Sequence, residues 1–117
     1  MLLVCGGRDY ADAETVFSAL DALHAKTPIE CLIEGGAKGA DALARAWAQQ
    51  RGVRVQTFPA DWKRHGRSAG PKRNQQMIEV RPDMVMAFPG GRGTADMVRR
   101  ARAVGVAVVE MTQQERR

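Results

Sequence analysis

Aromatic residues are scarce, at 5% of the 117 residues. Proteins that hold single-stranded nucleic acid by stacking interleave rings with their basic side chains, so this function ranks low here despite the positive charge. Cysteine is limited to Cys5 and Cys31, each inside an apolar run. Such positions suit buried free thiols in a reducing compartment rather than a disulfide frame. The two histidines, His24 and His65, lie far apart in sequence, and the cysteines show no metal-ligand spacing, so no metal site is expected. No apolar run is long enough to span a membrane. The opening residues 1–6 imitate a lipoprotein cleavage site only faintly, lacking the basic and long apolar regions that precede one. They read as a strand, and the expectation is a cytoplasmic protein with no membrane partner. Two nucleotide fingerprints are also missing. There is no G-x-x-x-x-G-K-[ST], which removes the P-loop, and no G-x-G-x-x-G after the first strand, which removes ordinary dinucleotide binding.

What is present fits one domain. Apolar residues make up 44% of the chain, enough for a core, and charged residues 26%. The net charge of +5 points to an anionic partner, namely nucleotide phosphate, nucleic acid or an acidic protein, though five surplus charges also serve plain solubility. The 12 glycines cluster, which marks special backbone positions.

Short apolar runs alternate with helical patterns. Residues 2–5 form a continuous apolar run that ends at Gly6-Gly7, the pattern of a strand buried on both faces. Asp12 can cap a helix to about residue 25 with Val16, Leu20 and Leu23 on one face, stopped by Pro28. A second strand over 30–34 runs into a glycine-rich turn, then a helix to about residue 50 presenting Leu43, Ala44, Trp47 and Ala48, with Gly52 as its stop. Residues 53–58 alternate as a third strand. Residues 59–70 lack periodicity and read as a basic loop, after which Pro71 opens a helix to about residue 80. A fourth strand over 83–88 leads through Pro89-Gly90-Gly91 to a helix with Met97, Ala101 and Val104 inward and Arg99, Arg100 and Arg102 outward. Gly105 closes it before a fifth strand over 106–109.

Five strands alternating with helices predict an α/β, Rossmann-like fold. With right-handed crossovers the expected form is a parallel five-stranded sheet of order 3-2-1-4-5 with helices on both faces. One domain is expected over residues 1–112, followed by a polar tail at 113–117.

Three strands end in double glycine: Gly6-Gly7, Gly35-Gly36 and Gly90-Gly91. In an open parallel sheet these ends share one edge, where ligands bind. Each pair alone is explained by a tight turn; three on one edge favour a site where backbone N–H groups and helix N-termini meet phosphate. The basic segment 61–74, with Trp62, leads to the same edge. Within it Arg73 can grip phosphate bidentately and Asn74 can bond to ribose or base. Asp41, in the first turn of the second helix, either answers the helix dipole or accepts from ribose hydroxyls. Arg8 and Asp9 follow the first glycine pair and can enter the same pocket.

Residues 4–10 (Val-Cys-Gly-Gly-Arg-Asp-Tyr), the run 35–41, Gly70-Pro71-Lys72-Arg73-Asn74 and the run 89–94 occur in one order across nearly the whole chain. Together they resemble the YspA-type branch of the SLOG superfamily, which also contains the Lonely guy phosphoribohydrolases and the DNA-processing protein A family. The resemblance implies a domain that recognises nucleotides or their derivatives, as do members proposed as sensors in bacterial and phage conflict systems. Lonely guy enzymes cleave the base from ribose monophosphate with a P-G-G-x-G-T-x-x-E motif. Pro89, Gly90, Gly91, Gly93 and Thr94 match it, but the glutamate position is Met97. Asp96 is adjacent, about 100° away around a helix.

The leading expectation is therefore binding or sensing of a phosphate-bearing nucleotide, ADP-ribose or NAD derivative, with no resident cofactor. The ligand-binding set comprises Gly6, Gly7, Arg8, Gly35, Gly36, Lys38, Gly39, Asp41, Arg73, Asn74, Pro89, Gly90, Gly91, Arg92, Gly93 and Thr94. The alternatives are an N-glycosidase using Asp41, Asp96 or Asp9 as its carboxylate, and single-stranded nucleic acid binding. A homodimer is also expected, because a small domain gains core by association.

Overall fold

The computed structural model describes residues 1–111. The elements run β1 (Leu2–Cys5), α1 (Ala13–Lys26), β2 (Cys31–Glu34), α2 (Ala40–Arg51), β3 (Arg54–Thr57), α3 (Trp62–His65), a 3-10 turn (Gly66–Ser68), α4 (Ala69–Glu79), β4 (Met84–Ala87), α5 (Arg92–Ala103) and β5 (Ala107–Glu110). The sheet order is β3-β2-β1-β4-β5, every pairing is parallel, and Leu3 lies between Ile33 and Val85. The predicted class and order are those observed, and each strand falls within one residue of its expected ends. The proposed tail at 113–117, and the last residue of the domain span, lie outside the described residues.

Alternation along the strands splits the core into two layers. Leu2, Val4, Leu32 and Met86 pack with Val16 and Leu20 of α1 and Ala40, Ala44 and Trp47 of α2. On the other face Leu3, Cys5, Ile33 and Val85 pack with Met77 and Ile78 of α4 and Met97, Val98 and Ala101 of α5. β1 is thus buried on both faces, as its unbroken apolar run requires. The outer strands β3 and β5 are largely exposed, with only Val55 and Val108 half-buried.

Caps set several of the helix ends. Asp12 accepts from the Thr15 backbone N–H at 3.0 Å and opens α1. Gly52, at φ +71° and ψ +23°, closes α2 in the left-handed conformation that glycine adopts without strain. Four local expectations are corrected. Residues 62–68 are not an irregular loop: Asp61 caps the four-residue α3 by accepting from the Arg64 N–H, a turn too short to show a period. Pro71 is the third residue of α4 rather than its first, still inside the turn whose N–H groups need no helical partner. Val104 is 46% exposed because α5 ends at Ala103 and leaves it at the cap. Arg100 turns back to Asp96 and Gln75 rather than outward.

Candidate functional site

The three glycine-rich loops interlock at the C-terminal edge of the sheet. The Gly7 N–H donates to the Pro89 carbonyl at 2.9 Å, and the Gly7 carbonyl accepts from the Ala40 N–H at 3.1 Å. The β1 loop is therefore clamped between the loops after β2 and β4. Glycine is demanded at Gly39, which sits at φ +71° and where a Cβ would collide with the Gly7 and Arg8 carbonyls. Gly90 is similarly pressed against Thr94 and the Gly7 nitrogen. Gly91 and Gly93 differ, because a Cβ on either would meet nothing within 4 Å. These two face open space at the start of α5, whose N-terminus carries no side-chain cap. Its first N–H groups have no intrahelical partner, an arrangement that in general suits an anion.

β1 and β4 flank the point where the chain switches sheet direction and helix face, the usual ligand crevice of such sheets. A cavity of about 660 Å³ opens there, lined by Arg8, Trp62, Arg67, Gly70, Pro71, Arg73, Asn74, Arg92, Gly93 and Asp96. A smaller one of about 280 Å³ continues inward, sharing Arg8, Arg73, Asn74, Arg92 and Gly93 and adding Cys5, Gly6, Gly7, Ala37, Asp41, Met77, Gly91 and Thr94. The outer volume is within the range of about 300–1,000 Å³ typical of small-molecule sites.

Four arginines face the outer cavity and one carboxylate, Asp96. Asp96 is already neutralised: Arg99 and Arg100 pair with it at 2.5 and 2.8 Å, and Asn74 Nδ2 donates to it at 3.0 Å. Partial burial would raise its carboxyl, but the hydrogen bonds from Arg100 and Asn74 and the two arginine charges outweigh this and hold it below the usual range. The cleft therefore presents net positive charge. Asn74, 3% exposed, joins the pieces by donating also to the Gly93 carbonyl at 3.1 Å and accepting from Arg73 Nε at 3.0 Å. Arg73 Nη1 reaches the Gly35 carbonyl at 2.6 Å, and a Cβ on Gly35 would block it. Burial lowers the Arg73 guanidinium from its ordinary value, while the charge of Asp41 opposes this.

Asp41 Oδ2 accepts from the N–H groups of Gly35 at 3.1 Å and Ala37 at 3.3 Å, so the side chain also shapes the loop that precedes its helix. Burial pushes its carboxyl up to about 6; Glu34 adds to the rise, and Ala37, Arg73 and Gly35 oppose it. Burial first, then the charge of Asp41, pushes the Cys5 thiol up to about 12, so this inner-wall thiol is no nucleophile near neutral pH.

Glu34, wholly buried, escaped the sequence reading. It accepts from the Gly36 N–H at 2.6 Å, from Arg45 at 2.9 Å and from the Thr57 hydroxyl, which ties the β2 loop to α2 and β3. A carboxylate ending a continuous apolar strand, eleven residues before an arginine on the next helix, was the available signal.

Of the expected ligand set, Gly6, Gly7, Arg8, Asp41, Arg73, Asn74, Gly91, Arg92, Gly93 and Thr94 come together around the inner cavity. Gly35, Gly39, Pro89 and Gly90 support the loops rather than line either cavity, and Gly36 and Lys38 are exposed beside them. Among the three candidate carboxylates, Asp41 and Asp96 face the cleft while Asp9 is exposed outside both linings. Met97 is wholly buried between the sheet and α4, so the position of the Lonely guy glutamate belongs here to the core. Among the described residues no cluster suited to a metal ion occurs, and no helix is long and apolar enough to cross a membrane.

Residues 1–65 match the family model described as YspA, cpYpsA-related SLOG family. The chain is 39% identical over 116 residues to the Gene 61 protein of Mycobacterium phage D29, covering 92% of this chain and 93% of that one. No solved structure matches it significantly.

Proposed function

This chain belongs to the YspA, cpYpsA-related SLOG family, and on that premise we propose that its cleft binds a nucleotide or nucleotide-derived ligand through the phosphate. Family membership implies a nucleotide-derived ligand. The observation that carries the finer reading is the cavity at the β1–β4 switch point, which gathers Arg8, Arg67, Arg73 and Arg92 around a carboxylate already balanced by two other arginines. An anion entering it meets cations and the uncapped start of α5, where Gly91 and Gly93 let it approach the backbone. Arg73, with Nη1 and Nε committed to Gly35 and Asn74, keeps Nη2 for the phosphate. Asn74 holds this arrangement rather than reading the sugar, since both protons of its amide nitrogen are in use. Asp41 Oδ1 remains for a ribose hydroxyl. A thermal-shift screen of nucleotides, NAD, ADP-ribose and cyclic nucleotides, each beside its dephosphorylated control, tests the reading. A ligand of the native state raises the melting temperature, and equal shifts by phosphorylated and dephosphorylated partners would refute it.

One observation favours a glycosidase as the second reading. Asp41, raised to about 6, sits on the inner cavity where a carboxylate could stabilise a ribosyl cation. Adenine release from adenosine monophosphate, abolished by Asp41→Asn, would establish it over simple binding.

A further inference from the structure

The chain has six aromatic residues, and five are packed into the core: Trp47 and Phe88 fully, Tyr10, Phe17 and Phe58 in part. Trp62 is the exception at 48% exposed. It is not a loosely hanging side chain. It opens α3 behind the Asp61 cap, and its outer ring edge rests against Gly70, where a Cβ would come within 3.3 Å of the indole. Its ring forms a wall of the outer cavity and takes no part in the inner one. The Arg8 guanidinium lies over it, 5.4 Å from the ring centroid. An indole face met by an exposed guanidinium is a flat surface that another planar π group can take over.

The geometry points to Trp62 as the stacking platform for the base of the ligand, with the base against the indole on the outer side and the phosphate inward, where Arg8, Arg73 and Arg92, shared by the two cavities, meet the start of α5 at Gly91–Thr94. This inference rests on the phosphate reading and sharpens it: the ligand class becomes one that carries an aromatic base beyond its sugar phosphate, rather than a sugar phosphate or inorganic anion alone. Arg8 lines both cavities. When a base takes the indole face, the displaced guanidinium is placed to turn toward the phosphate, so one movement serves both halves of the ligand. Stacking on an indole is tolerant of base identity, because every base presents a π-face.

Calorimetric titration of the wild type with the four ribonucleoside 5′-monophosphates, ADP-ribose and ribose 5-phosphate provides the test, repeated on Trp62→Ala and Trp62→Phe. At least one nucleotide should bind the wild type more tightly than ribose 5-phosphate. Trp62→Ala should weaken that nucleotide roughly 5- to 150-fold, the range of one base stack, while moving ribose 5-phosphate by less than about twofold, and Trp62→Phe should keep most of the affinity. The nucleotide should also quench indole emission in the wild type, and the quench should vanish in Trp62→Phe, because Trp47 is buried and bonded to Asp21. Equal affinity of the wild type for every nucleotide and ribose 5-phosphate, or parallel losses of both in Trp62→Ala, overturns the platform and leaves phosphate binding intact. Binding of none of these probes by the wild type removes both.

Discussion

Arg73 Nη1 donates a 2.6 Å hydrogen bond to the carbonyl of Gly35, a residue 38 positions earlier in the chain. The contact spans from α4, beneath one face of the sheet, to the loop after β2. An arginine that looks like a free phosphate clamp in sequence is therefore also a strut of the cleft.

The double role of Arg73 predicts two separable losses in Arg73→Ala. Without ligand, urea unfolding should show a stability loss of about 1.5–3 kcal/mol, the worth of a hydrogen bond to a charged group. Calorimetry should show a phosphorylated nucleotide weakened more than its nucleoside. An unchanged unfolding midpoint would mean that the Gly35 contact contributes nothing.

The glycines should divide into two kinds. Gly39→Ala and Gly90→Ala force a Cβ into neighbouring backbone and should lower the melting temperature of the free protein. Gly93→Ala lies in the first turn of α5 with open space around it and should leave stability level or raise it by up to about 1 kcal/mol. It should nonetheless weaken ligand binding, because the added methyl occupies the approach to the backbone. Equal destabilisation by all three would break the distinction.

Asp41 predicts a pH dependence of a particular sign. Its carboxyl is raised from the ordinary 3.8 to about 6, so the folded chain holds this proton more tightly than the unfolded one. The resulting stability is present below the unfolded value and is lost as pH rises through about 6. Asp41→Asn cannot ionise. Relative to that variant, wild type should lose about 1–3 kcal/mol between pH 4 and pH 7. Urea melts of both proteins across this window would show it, and a flat difference would place Asp41 near its ordinary value.

Met97→Glu restores the glutamate of the Lonely guy motif, yet position 97 is wholly buried against Leu3, Cys5 and Met77. An unpaired carboxylate there should cost about 3 kcal/mol or more. The expected outcome is a sharply destabilised protein, not a hydrolase. A stable variant that releases adenine would show that position 97 can reach the cleft.

Much of this was legible in the sequence, for physical reasons. Residues 2–5 and 31–33 are short apolar runs, the first ending and the second nearly ending at double glycine, so strand, burial and sheet edge followed together. The inward direction of Met97 followed from its helical spacing with Ala101. Contacts made by folding were not legible. Asn74 meets Asp96 only because α4 and α5 pack side by side on one face, and nothing in their 22-residue separation marks the pair. Glu34 looked like the polar end of a strand, since its partners Arg45 and Thr57 come from two later elements. The basic character of the segment around Trp62 and its place near the edge are legible in sequence, but a four-residue helix has no periodicity to read.

The most direct test of the central claim is a nitrogen-15 NMR titration of the wild type with adenosine monophosphate and ADP-ribose, with adenosine as control. A phosphate seated at the start of α5 should move the backbone amides of Gly91, Arg92, Gly93 and Thr94 and those of Gly6 to Arg8. Amides at the opposite end of the strands, such as Ile29 and Asp83, should stay still, and adenosine should move the 91–94 group far less than its phosphate does. Shifts centred on that opposite end, or the same response of residues 91–94 to adenosine as to its phosphate, would contradict the account.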